Sequence, residues 1–110
     1  MQELIDEIEE LKSSIDAYVA ILLKNDEIEI MENMQHISVA LSAVLPRVVA
    51  VYEDERMQPY KEDQQYWLMQ LKRILDALGR QDQFLAVDAL KYELHANLTY
   101  LQGLLQQNIM

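Results

Sequence analysis

Apolar side chains recur at alternating steps of four and three along most of the chain, the repeat that places them on one face of an α-helix. Leu4, Ile8, Leu11, Ile15, Tyr18 and Leu22 predict a first helix over residues 2–23, with Ile5 and Val19 widening its stripe. Acidic residues crowd its first turns and Lys24 stands at its far end, both matched to the helix dipole. Lys24-Asn25-Asp26 is the expected turn, because asparagine tolerates the left-handed conformation and aspartate caps the helix that follows. Ile30, Met34, Ile37, Leu41, Val44, Val48 and Val51 then predict a second helix over residues 27–52. Pro46 falls inside this run, where it removes one backbone donor and frees the carbonyl of Ser42. The apolar spacing continues through it, so a kink is expected; the alternative is that Pro46 opens a new helix as its first residue.

Residues 53–59 are charged, unpatterned and end in proline, and read as a linker. Trp67, Leu71, Ile74 and Leu78, flanked by Leu68 and Leu75, predict a third helix over residues 60–78. Gly79 is placed to cap it, Arg80-Gln81 to complete the turn, and Asp82 to cap the next helix. Val87, Leu90, Leu94, Leu98, Leu101 and Leu105 predict a fourth helix over residues 83–107, in which Gly103 implies either close approach of another backbone or fraying. The expected fold is all-α: residues 1–110 as a single domain, a four-helix up-down-up-down bundle with its second helix kinked at Pro46.

Composition narrows the setting. With 110 residues, 51% of them apolar, the chain has enough material for one core and too little for a second lobe. It contains no cysteine, which excludes a disulfide scaffold and a thiolate zinc site. Its first residues are acidic where a secretory signal is basic. Its longest uninterrupted apolar runs, residues 18–23 and 48–52, are far short of the ~20 residues of a membrane span. A cytoplasmic protein without a membrane partner is the expectation.

The net charge of −10 is unevenly spread. Residues 1–33 carry a net −8, whereas residues 56–110 balance to zero. An acidic first third repels nucleic acid and anionic membrane and suits a basic protein partner. The plainer reading is a solvated face that aids solubility.

Little in the chain points to catalysis. A di-metal bundle site needs Glu-x-x-His on two helices. The nearest approaches are Glu32 with His36, four apart, and Glu93 with His95, two apart. Two glycines cannot form a phosphate loop. Ser13, Ser14, Ser38 and Ser42 all fall within expected helices rather than on the strained turn that nucleophilic serines commonly occupy. The basic residues are scattered, which argues against a nucleic-acid surface. No cofactor or metal is implied.

Two groups of residues stand out. At about 100° per residue, Asp88, Tyr92, His95 and Thr99 fall within about 60° of one another, a polar row beside the leucines of the fourth helix. Such a row can be an interhelical hydrogen-bond network, the wall of a pocket, or an ordinary half-buried boundary. Met31, Met34 and Trp67, with Met57, Met69 and neighbouring tyrosines, are candidates for an interaction patch, since methionine and aromatics are enriched at interface cores. The plainer reading is that they close one end of the core.

The segment Asp82, Ala86, Asp88, Leu90, Tyr92, Glu93, Leu94 resembles the C-terminal helix of small all-helical proteins of Gram-positive bacteria that carry Ala-Asp-x-Leu-x-Tyr-Glu-Leu. The resemblance covers residues 82–94, and where that family often has a proline soon after Tyr-Glu-Leu, this chain continues His95-Ala96-Asn97. It implies a bacterial cytoplasmic helical bundle, places Asp88, Tyr92 and Glu93 at motif positions, and supplies no activity. The leading functional expectation is a non-enzymatic protein–protein interaction module, an adaptor or small chaperone, with a basic protein or a second copy of itself as partner. The alternatives are a small-molecule binder or enzyme with a pocket at Asp88, Tyr92 and His95, and an acidic mimic that occupies a basic site on a nucleic-acid-binding protein.

Overall fold

The structure, a computed structural model, describes residues 2–80 and 82–108. Among these residues the secondary structure is entirely helical, so the fold is all-α. Helix α1 spans Gln2–Lys24 and buries the expected stripe from Leu4 to Leu22. Asn25 ends it with φ 60, the left-handed conformation anticipated for an asparagine. The Asp26 carboxylate then accepts from the backbone N–H groups of Ile28 (3.1 Å) and Glu29 (3.2 Å), capping α2.

Helix α2 spans Glu27–Ala50 without a break at Pro46, which neither ends it nor opens a new helix. Pro46 and Ser42 both lie on the exposed side. Water can therefore take the carbonyl that the proline leaves without a donor, and the interruption is tolerated. The buried residues of α2 run only from Ile37 to Val48; Ile30 and Met34, expected in the stripe, are half-buried. The continuous helical stretch Glu27–Glu53 is long and apolar enough, by length and composition, to cross a membrane, with hydropathy 1.4 over its most apolar window, of which 33% is buried. Its uninterrupted apolar runs are nonetheless short, because scattered polar residues break them while leaving the average high.

The expected linker is ordered. A 3-10 turn at Val51–Glu53 leads to a second at Glu55–Tyr60, which Asp54 caps by accepting from the backbone N–H of Arg56 (2.9 Å). Met57 on this segment is fully buried and pins it to the core. Helix α3 spans Asp63–Arg80, starting three residues later than the spacing implied. Gly79 is not its cap: it lies inside α3, with no positive φ. The end is closed instead by the Asp82 N–H reaching the Ala77 carbonyl (3.4 Å). Of the expected Arg80-Gln81 turn, Gln81 lies outside the described residues.

The last stretch comprises α4 (Gln83–Val87), a π-helical turn (Asp88–Leu94) and α5 (His95–Asn108). Asp82 caps α4 as expected, accepting from Leu85 N–H at 3.0 Å. The backbone stays right-handed helical through both junctions, at Val87, Asp88 and His95. The π turn has a sequence cause. Ala86, Leu90, Leu94 and Leu98 are all buried at successive steps of four. In a regular α-helix those steps drift by about 120°, and the one extra residue of a π turn takes back about 100°. The turn therefore keeps Leu98, Leu101 and Leu105, all fully buried, on the core side.

The core runs the length of a 44 × 23 × 19 Å body. Its fully buried residues include Ile8 and Ile15 of α1, Val48 of α2, and Leu90, Leu94, Leu98, Leu101 and Leu105 of the last stretch. Around it, Glu7 pairs with Arg47, Arg73 with Glu93 (2.8 Å), and Gln102 bonds both Glu9 (2.8 Å) and Lys12 (2.9 Å).

Gly103 is neither a close-approach site nor the start of fraying. A Cβ there, or at Gly79, meets nothing within 4 Å, and α5 continues to Asn108. Gly103→Ala and Gly79→Ala should therefore each raise stability by about 0.5–1 kcal/mol, by relieving the entropic cost of a helical glycine. Urea titration should show a higher midpoint with an unchanged slope; a lower midpoint for Gly103→Ala would mean that a neighbour does crowd it.

Candidate functional site

The polar row on the last stretch does not survive as one row, and the π turn is the reason. The extra residue falls between Asp88 and His95, so it displaces His95 and Thr99 by about 100° from Asp88, and by part of that from Tyr92, which lies inside the turn. Asp88 is exposed, and Tyr92 is 65% exposed with the Lys91 ammonium 5.5 Å from its ring centroid. His95 is half-buried and turns to α1, its Nε2 3.4 Å from an Asp16 carboxylate oxygen. Thr99 is exposed and its hydroxyl donates to the His95 carbonyl (3.1 Å). Asp88, Tyr92 and His95 lie outside three surface clefts, those lined by Tyr18 and Leu78, by Ser13 and His36, and by Leu4 and Asp54.

His95 instead borders a polar seam between α1 and α5. There Gln102 donates to Glu9, and Lys12 bridges Glu9 (3.5 Å) and the Gln102 carbonyl oxygen. The Gln102 hydrogen bond, then the Lys12 charge, hold the Glu9 carboxyl below its ordinary value. This seam joins α1 to α5 through side-chain hydrogen bonds and an ion pair.

The candidate patch of Met31, Met34 and Trp67 is divided in the same way. Trp67 is buried and its indole N–H donates to the Tyr52 hydroxyl at 2.7 Å. Tyr52 is itself fully buried, which pushes its hydroxyl up to about 12, with the Trp67 bond acting in the opposite direction. Met34 is half-buried, whereas Met31 is 69% exposed. Trp67 belongs to the core; Met31 belongs to a surface.

That surface is a half-open cleft of about 210 Å³ at the end of the molecule where the α1–α2 and α3–α4 turns meet. Tyr18 and Leu22 of α1, Ile30 and Met31 of α2, Ala77 and Leu78 of α3, and Ala86 of α4 form its apolar lining; Glu27, Asp82 and Gln83 contribute the polar rim. Further apolar side chains stand in solvent on the same turns: Leu23, Ile28 and Phe84, the last 86% exposed. The sequence carried a signal for this surface, namely apolar residues off the helical stripe and within two positions of a turn cap.

Among the described residues no cluster of three or more His, Asp or Glu side chains is placed to hold a metal ion. Glu32 and His36, the nearest approach in sequence, are both exposed. No family model, curated protein or solved structure matches the chain.

Proposed function

We propose that this protein is a non-enzymatic helical interaction module, an adaptor or small chaperone, that takes a basic protein partner in a bacterial cytoplasm. The observation that carries the reading is the exposure of large apolar side chains, Ile28 and Met31 on α2 and Phe84 on α4, beside the acidic first third of the chain. Isolated exposed apolar residues are ordinary, but a group of them rimmed by charge is the composition of an interaction surface. Self-association to a homodimer is the related expectation, opposed by the repulsion of two surfaces of like sign. The pocket reading at Asp88, Tyr92 and His95 has less support, since the three residues do not converge.

The architecture that belongs with this reading is the four-helix up-down-up-down bundle, with α4, the π turn and α5 as one rod and α2 kinked at Pro46. It is supported by pairs that join opposite ends of neighbouring helices, Glu7 with Arg47 and Ile5 with Gln102.

Immobilised protein and lysate of the native host, washed across a salt series, test the function. The expected result is a partner of basic composition that rebinds as a purified protein and is released by salt, because exposed charge pairs are screened. If every captured protein fails to bind once purified, the module reading falls.

A further inference from the structure

We propose that the cleft between the α1–α2 and α3–α4 turns is the docking site, and that its occupant is a large apolar side chain on a cationic, amphipathic helical segment of another protein. The inference rests on the interaction-module reading and adds the place and the chemistry of the partner.

Three observations fix that chemistry. At about 210 Å³ the cleft is smaller than the roughly 300–1,000 Å³ of small-molecule sites. It suits one inserted side chain better than a whole ligand. Its floor is apolar, from Tyr18, Leu22, Ile30 and Leu78, exposed Met31 belongs to the same lining, and exposed Phe84 follows the rim residue Gln83 in sequence. Methionine adapts to irregular apolar partners, which favours a helix face over a rigid flat surface. The surrounding charge is acidic and mostly uncompensated. Lys24 faces Glu29 (4.0 Å) and Arg80 faces Asp76 (3.2 Å). Among the described residues no cation stands within ion-pair distance of Asp26, Glu27, Glu32 or Asp82. Lysines or arginines flanking the inserted side chain would face these carboxylates, and a second copy of this acidic chain would be repelled by them.

The test titrates a synthetic amphipathic peptide of leucine and lysine at helical spacing into nitrogen-15-labelled protein. The expected result is chemical-shift change concentrated at Leu22, Met31, Leu78, Phe84 and Ala86. Met31→Glu should weaken binding about tenfold or more. The substitution adds a negative charge, which strengthens a purely electrostatic attraction, so weakening reports lost apolar contact. Glu27→Gln should also weaken binding, more at low salt than at high salt. Met31 and Glu27 are exposed, so both variants should keep the parent's circular dichroism. Shift changes elsewhere, unaffected by Met31→Glu, would overturn the cleft while leaving the interaction-module reading standing. Failure to bind the peptide, with concentration-dependent self-association that Phe84→Ser abolishes, would make the occupant a second copy and overturn the cationic partner. Failure to bind with a monomeric protein would overturn the proposal outright, and the lysate experiment would then decide the module reading alone.

Discussion

Deleting Lys91 should leave the protein folded, whereas deleting Thr99, also exposed and on the same helical stretch, should unfold it. Lys91 lies in the π turn, where the backbone already accommodates one residue more than an α-helix holds. With Lys91 removed, the steps from Leu90 through Leu94, Leu98 and Leu101 to Leu105 become three, four, three and four. That is an unbroken α-helical stripe. The expected cost is at most about 1–2 kcal/mol, within the range of an ordinary surface change plus local adjustment. Thr99 lies in regular α-helix, so its loss rotates everything beyond it by about 100°. Gln102 and Gln106 would then occupy the fully buried positions of Leu101 and Leu105, while Leu101 would move to the exposed position of Tyr100. Each leucine withdrawn from the core costs about 2–3 kcal/mol and each amide buried without a partner about 1–3. Together these match the roughly 5–15 kcal/mol that holds a domain folded. Circular dichroism with urea titration reads both outcomes. Equal destabilisation by the two deletions would show that the π turn does not set the phase of α5.

Trp67→Ala should be the most damaging single substitution around the Tyr52 hydroxyl, at about 3–5 kcal/mol. It removes the chain's one tryptophan from a site 4% exposed and leaves the Tyr52 hydroxyl without its donor. Tyr52→Phe isolates the polar part of that loss. It preserves the ring and takes the acceptor from the indole N–H, at about 1–3 kcal/mol for a buried donor left unmade. The same hydroxyl gives the pH dependence its sign. Burial raises Tyr52 from an ordinary 10.0 to about 12, so the folded state keeps a proton that the unfolded state releases. This contribution is complete below pH 10 and is lost as the pH climbs from 10 to 12. The hydroxyl of Tyr18 is raised by burial in the same direction. Tyr52→Phe should therefore flatten the alkaline loss of stability without abolishing it. Thermal melts from pH 9 to 12 compare the two proteins, and identical alkaline falls would remove Tyr52 from the account. The fluorescence of Trp67 reports unfolding in both.

The last stretch shows how close the sequence came to the π turn. Spacing read from Val87 begins with a step of three and conceals the irregularity; read from Ala86 it shows three consecutive steps of four. Which residue is in the core depends on what faces it, and Ala86 is buried while Val87 is only half-buried. The polar row failed for the same reason, because it was projected through a turn that does not advance by 100° per residue. The candidate patch mixed two environments: Trp67 is buried and donates to a hydroxyl fifteen residues away, whereas Met31 stands exposed.

What the sequence determined by itself is everything governed by a few neighbouring residues. The stripe of α1, the left-handed Asn25 and the caps Asp26 and Asp82 all depend on contacts within about one helical turn, whereas at Pro46 the sequence left a kinked helix and a new helix both open. Only the tertiary structure decided which apolar residues the core had room for. It buried Met57 and so ordered the charged segment around it, left Ile30 and Met34 at the margin, set Ile28, Met31 and Phe84 in solvent, and opened the cleft between two turns. Those outcomes rest on side chains brought together from helices far apart in sequence, and local periodicity carries no record of them.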